Sequence, residues 1–316
     1  MRIHTTIFLT DETMGPVRLA EEVEQRGFAG LFLPEHTHIP VARTTPAPMG
    51  EPLPREYGRT LDPFTALAAA AAVTRRITLG TAITLVAQHD PIVLAKQIAT
   101  LDHLSGGRFT LGVGFGWNVE EAADHGVAWA GRRDLVRDRM RVMRALWAPE
   151  PTAYEGEWAS VAASEAYPKP VGPLRTLVGG AAGPKLFGHI ADYADGWMPI
   201  GGGGLADALP RLREAWDAAG RGPDGPQIVP SAVRPTDGKL AHFADLGHRG
   251  VRGPAAPGRR GRGAARAGRL RAVPVTGPGG TIRATSSRAA GAVARVANAI
   301  AGAVTPPAGQ RPMLGR

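Results

Sequence analysis

The 316-residue chain has no cysteine, so disulfides, thiolate metal ligands and thiol nucleophiles are all excluded. It has no stretch of about 18 uncharged apolar residues, and no membrane span is expected. Met1-Arg2-Ile3-His4-Thr5 lacks the apolar run of a signal peptide, which makes a cytoplasmic protein the default expectation. Walker A, HExxH and GxSxG patterns are missing too, which removes the usual motif grounds for a phosphate-loop, zinc-protease or serine-hydrolase reading. The last absence is of acidic residues at one end. From His248 to Arg316 there are thirteen Arg and no Lys, Asp or Glu. Without those thirteen, 24 basic residues stand against 28 acidic ones, so the formal net charge of +9 belongs to the tail and the body is mildly acidic. Whole-chain charge is therefore no nucleic-acid signal for the body.

What is present is alternation. Residues 61–118 read LDPFTALAAAAAVTRRITLGTAITLVAQHDPIVLAKQIATLDHLSGGRFTLGVGFGWN, in which two helix-like runs alternate with two short strands that end in glycines. Such alternation favours a parallel sheet covered by helices, with a ligand site at the strand tips. Strands are expected over 3–9, 30–33, 77–81, 109–113, 176–179, 196–199 and 228–232. Helices are expected over 16–26, from Asp62-Pro63 onward, and over 91–104, 133–147, 184–193, 205–219 and 238–246. A hairpin is expected around 154–158, and a long polar loop over 39–60. That makes seven βα units, where a closed TIM-type (β/α)8 barrel wants eight.

The eighth should begin near residue 248, where the composition collapses into Ala, Gly, Arg and Pro with no aromatic residue. One reading is a disordered, cationic low-complexity tail. The sharper one is a shifted reading frame, because GC-rich coding DNA read out of frame yields this composition. Codons for Gly247-His248-Arg249-Gly250-Val251 can be chosen so that a one-nucleotide shift reads Val-Thr-Glu-Val, which suits a strand. Codon statistics across residue 247 separate the two. The expected organisation is a barrel domain over 1–247 and a tail over 248–316. Edges left on the first and seventh strands predict an aggregation-prone product.

Several segments could carry chemistry. At the second strand's tip, Glu35 and His36 pair a carboxylate with a histidine, a combination suited to proton transfer near neutral pH. No metal site is expected. Small residues at Gly80, Thr81 and Ala82 would let a flat ring approach the backbone. Gly112, Gly114 and Gly116 alternate at the end of the fourth strand, but the third position of a dinucleotide fingerprint is Trp117, so a Rossmann site is rejected. The run Gly179, Gly180, Ala181, Ala182, Gly183 between a strand and a helix start offers free amides to a phosphate.

In order and spacing, LFLPEHTHIP, LPREYGRTLDPFTALAAAAAVT, LGTAITLVAQHDPIVLAKQIATLDHLSGGRFTLGVGFGWN and DGWMPI resemble the luciferase-like monooxygenase superfamily, and within it the coenzyme F420-dependent oxidoreductase branch. The resemblance covers residues 1–247. It implies a TIM-type barrel holding F420, or FMN as the alternative, at the strand tips, with hydride transfer to or from a small organic substrate. It implies that His36 stands near the reactive ring with Glu35 as its acidic neighbour. It further implies a non-prolyl cis peptide at Ala82–Ile83, backbone around Ala82, Gly112 and Gly114 holding the ring, and the turn from Gly179 to Gly183 meeting the cofactor phosphate. A sugar-phosphate branch carries a glutamate where Trp117 stands, so that substrate is not carried over. Two other functions remain open, an FMN-dependent two-component monooxygenase and a non-enzymatic protein that associates with nucleic acid or membrane through its basic tail. Homodimerisation is possible by the same resemblance.

Overall fold

Aspartates followed by proline start two of the helices, because each aspartate caps the first turn. The Asp62 carboxylate accepts the Thr65 N–H at 2.7 Å, and that of Asp90 accepts the N–H groups of Ile92 and Val93 at 2.9 Å each. The following proline has no N–H to satisfy, which suits a first turn. These caps open α2 (Pro63–Val73) and α3 (Pro91–Ser105), and α3 ends on Gly106 in the left-handed region at φ 68°. The computed structural model describes residues 2–233 apart from Met49, together with Thr236 and Gly238. The expected tail, its reading-frame origin and, apart from Gly238, the helix expected over 238–246 lie outside the described residues.

Among these residues the strands are β1 (His4–Thr6), β2 (Gly30–Leu33), β3 (Thr78–Thr81), β4 (Phe109–Val113), β5 (Tyr154–Glu155), β6 (Ser160–Val161), β7 (Arg175–Gly179), β8 (Gly196–Met198) and β9 (Gln227–Ile228). One parallel sheet runs in the order β1-β2-β3-β4-β7-β8-β9, and β5 and β6 form a separate antiparallel hairpin. The remaining helices are α1 (Pro16–Gln25), α4 (Val119–Asp124), α5 (Arg132–Trp147), α6 (Pro184–Tyr193) and α7 (Leu205–Ala218). This curled, parallel, helix-covered half-barrel has the expected architecture. β2 and β4 are buried at every position, the pattern of strands covered on both faces.

Two strands, the first and the last, end several residues short of the expected range. Past Thr6 the chain turns away to meet the long loop, with the Leu61 N–H on Leu9 O at 2.8 Å and an antiparallel bridge from Thr10 to Thr60. Past Ile228 the Val229 N–H still reaches Trp197 O at 2.9 Å and the Ser231 N–H reaches Pro199 O at 2.7 Å, but Pro199 has no N–H to return to this strand, and the next bridge is Ile200–Ser231. The main core lies between sheet and helices, while Phe32, Leu177 and Met198 fill the inside of the curl with Ala82 and Ile83 against them. No helix among the described residues is long and apolar enough to cross a membrane.

Candidate active site

The chain leaves β2 extended, so Glu35 and His36 point to opposite sides. His36 turns toward α4. Its Nδ1 lies 2.8 Å from Glu121 Oε2, and the two side chains are 7% and 1% exposed. The Trp117 indole N–H reaches His36 Nε2 at 3.2 Å. An indole nitrogen can only donate, so Nε2 is the accepting nitrogen and Nδ1 carries the proton that Glu121 holds. The second Glu121 oxygen accepts the Thr37 N–H at 3.2 Å. The Tyr57 ring stands 5.3 Å from the His36 ring and 6.2 Å from that of Trp117, and burial pushes its hydroxyl pKa up.

Helix α4 was not anticipated, and neither was Glu121. Asn118 caps the helix, its side chain accepting the N–H groups of Glu120 and Glu121 at 3.2 Å each. Asn followed three residues later by Glu is the form of a capping box and was the available signal. Glu120 faces the other way and accepts four bonds from the backbone and hydroxyls of Thr44 and Thr45. Those bonds, led by the Thr45 hydroxyl, hold its pKa down at about 2. One short helix thus orients His36 with one glutamate and ties down the 39–60 loop with the next.

Glu35 does not accompany His36. Its Oε2 accepts the Leu85 N–H at 2.6 Å, and its Oε1 meets His89 Nε2 at 2.7 Å. Sequence adjacency suggested a shared role for Glu35 and His36, but the alternation of an extended chain separates them.

Beyond β3 the Ala82–Ile83 peptide is cis. Thr84 rejoins β4 through its N–H on Gly112 O at 2.7 Å and its carbonyl, which accepts the Gly114 N–H at 2.9 Å. The Thr81 hydroxyl donates to Gly112 O and accepts the Gly112 N–H, each at 3.0 Å. This detour drops Ile83 onto the neighbouring strand tips. A Cβ on Gly114 would fall on the Ile83 side chain, and one on Gly179 would sit 2.9 Å from Ile83 Cγ2. A Cβ on Gly112 would strike the Thr81 carbonyl. The space beside Gly114 and Gly179, expected to admit a ligand, is therefore filled by Ile83 itself. Ala82, Ile83, Gly112, Gly114 and Gly179 do converge on one place, and half-buried Ala82 and Ile83 present its surface.

One strand further along, β7 ends in the glycine-rich turn. Gly180 has φ 143°, and its carbonyl accepts the buried Trp197 indole N–H at 2.9 Å. Ala181 and Ala182 are exposed, and Gly183 caps α6 without a side-chain bond. Pro184 has no N–H and Phe187 bonds Gly183 O, so Lys185 and Leu186 contribute first-turn N–H groups without intrahelical acceptors. Such a turn suits an anion.

The family model for luciferase-like monooxygenases matches residues 12–237. An uncharacterised protein of Mycobacterium tuberculosis is 47% identical over 253 residues, which cover 78% of this chain and 89% of that protein. An F420-dependent glucose-6-phosphate dehydrogenase of Nakamurella multipartita is 29% identical over 223 residues, 66% of this chain and 61% of its own length. Among solved structures, a monooxygenase from Streptomyces bottropensis aligns with a TM-score of 0.58 at 27% identity, over 71% of this chain and 68% of its own. An F420-dependent secondary alcohol dehydrogenase, solved with an F420–acetone adduct, aligns with a TM-score of 0.60 at 22% identity, over 73% of this chain and 68% of its own, and speaks for the fold alone. The matched family model spans most of the chain and all the strand-tip residues described above: this chain belongs to the luciferase-like monooxygenase family.

Proposed function

We propose that the chain is an F420-dependent oxidoreductase that transfers a hydride between the deazaflavin and a small organic alcohol or carbonyl compound. The observation that carries this reading is the fixed tautomer of His36, whose Nδ1–H is held by buried Glu121. Its Nε2 is left as the one ring nitrogen that can exchange a proton with substrate. The residues fit the cofactor in two further respects. The turn from Gly180 to Gly183 with the N-terminus of α6 suits its phosphate, and half-buried Ala82 and Ile83 offer a flat apolar edge to its ring. When bound, the deazaflavin supplies or accepts the hydride.

In alcohol oxidation the proton leaving the substrate oxygen goes to His36 Nε2, and in reduction it returns from there. The Trp117 N–H bond to this nitrogen is long, and the substrate oxygen takes its place. Glu121, bonded to Nδ1–H, holds the ring in place and lies beside the imidazolium that forms. Trp117 and Tyr57 wall the site and keep water from competing.

His36→Ala should lower turnover about 10²-fold or more while leaving the F420 dissociation constant unchanged. Unchanged turnover would refute the acid–base role. The second reading is a two-component FMN monooxygenase, favoured by the likeness to the Streptomyces bottropensis enzyme. Parallel titrations with F420 and FMN separate the two, since FMN binding without F420 binding selects the second.

A further inference from the structure

The segment from Ala82 to His89 carries Ile83, yet its own ladder contacts with β4 end at Thr84. Past Thr84 it is held by charge. Glu35 clasps both ends of the short turn over Val86–Gln88, with Leu85 N–H on one carboxylate oxygen and His89 Nε2 on the other. Arg139 of α5 donates to the carbonyls of Val86 and Ala87 at 3.2 and 2.7 Å, and to that of His89. The Glu35 side chain is 2% exposed. A carboxylate suits this place because it accepts in two directions at once, from a backbone amide and from an imidazole. Leu85 is two residues from Ile83, so a displaced clasp displaces the residue that packs on Gly114 and Gly179.

We propose that Glu35 and His89 are a positioning pair that sets Ile83 against the bound cofactor, and that Glu35 takes no part in proton transfer. This rests on the functional reading above. Glu35, Asp62 at the start of α2, Arg139 of α5 and His125 after α4 all face His89. Burial opposes its charged form, but the Glu35 bond and charge, helped by Asp62 against Arg139, raise its pKa above 6.5. The raised folded value means that the ion pair is complete at lower pH and is lost as pH rises through it.

The test uses the full chain with Glu35→Gln, Glu35→Ala and His89→Gln. The His89 imidazole, followed by NMR, should titrate above 6.5 in the unaltered protein and below 6.5 in Glu35→Gln. Amide exchange at Leu85 should quicken about tenfold in Glu35→Ala, and F420 should bind about tenfold more weakly, the effect of one lost bond to a charged group. The kcat of cofactor-saturated enzyme should stay within about threefold, unlike that of His36→Ala. F420 affinity of the unaltered protein should decline as pH rises through the His89 titration, whereas His89→Gln keeps a donor for Glu35 and should retain affinity without that decline. Should Glu35→Ala fail to fold, Glu35→Gln carries the same exchange and affinity measurements.

Unchanged Leu85 exchange and unchanged affinity in the Glu35 variants would overturn the proposal. So would a Glu35→Gln enzyme that binds F420 normally and loses turnover about 10²-fold, because Glu35 would then be the proton carrier. If the unaltered protein binds neither F420 nor FMN, the functional reading falls. His89 titration and Leu85 exchange would still decide whether the pair holds the segment.

Discussion

The two ends of the sheet treat buried charge differently. At the carboxyl ends of the strands two buried carboxylates each meet a histidine, Glu35 with His89 at 2.7 Å and Glu121 with His36 at 2.8 Å. At the amino ends, β1 opens on His4 and β7 on Arg175. Both ring nitrogens of His4, with Nε and Nη2 of Arg175, are buried without a hydrogen-bond partner among the described residues. Burial first, then the positive charges of Arg175 and Arg2, lowers His4 to about 3. Burial also lowers Arg175 to about 10, although Asp195 opposes it. The buried carboxylates and histidines at the strand tips are thus paired, whereas at the base a histidine and an arginine keep buried polar atoms without partners among the described residues. Unmet buried donors are costly, so the two ends should respond to different perturbations.

Acid gives the largest expected difference. An unfolded His4 binds a proton below about 6.5, whereas the folded one does so only near 3. Between those values the unfolded chain holds more protons, and stability falls as pH falls. His189 on α6, lowered by burial to about 4, acts in the same direction. His4 alone should cost about 3 kcal/mol between about pH 7 and about pH 4. Urea unfolding at a series of pH values should show this slope, and His4→Leu should flatten it. Parallel slopes for the two proteins would mean that the base is satisfied after all, and the contrast between the ends would dissolve.

A smaller effect tests how tightly the tips are packed. Gly114→Ala should cost about 2 kcal/mol, because the added methyl falls on Ile83. In an Ile83→Ala background the same change should cost less than about 1 kcal/mol. Equal costs in both backgrounds would show that Gly114 serves something other than Ile83.

Much of this was legible in the sequence. The apolar runs at β2 and β4, the Asp-Pro helix starts and the glycine turn before α6 all follow from local rules, and the structure has them where the spacing puts them. The partners of the key side chains were not legible. Glu121 lies 85 residues from His36 and His89 lies 54 from Glu35, and each contact arises only when β2, β3 and β4 stand side by side. The glycines misled for a related reason. A bare Cα marks a close approach without saying what approaches, and at Gly114 it is the chain's own Ile83.

The smallest expected effect falls on Asn118, where stability and chemistry should separate. Its Oδ1 caps α4, while its Nδ2 is buried without a partner among the described residues. Asn118→Ala should cost about 1 kcal/mol, the usual loss for an N-cap. Yet α4 also holds Glu121 against His36, and a frayed first turn would free that carboxylate. Turnover should therefore fall further than so small a loss of stability could explain, while F420 affinity stays unchanged. Asn118→Ser restores an accepting oxygen without the stranded amide, and it should recover both stability and turnover. If Asn118→Ala loses stability but keeps full turnover, His36 is oriented without help from α4, and the carboxylate–histidine pairing at the strand tips is not what drives the chemistry there.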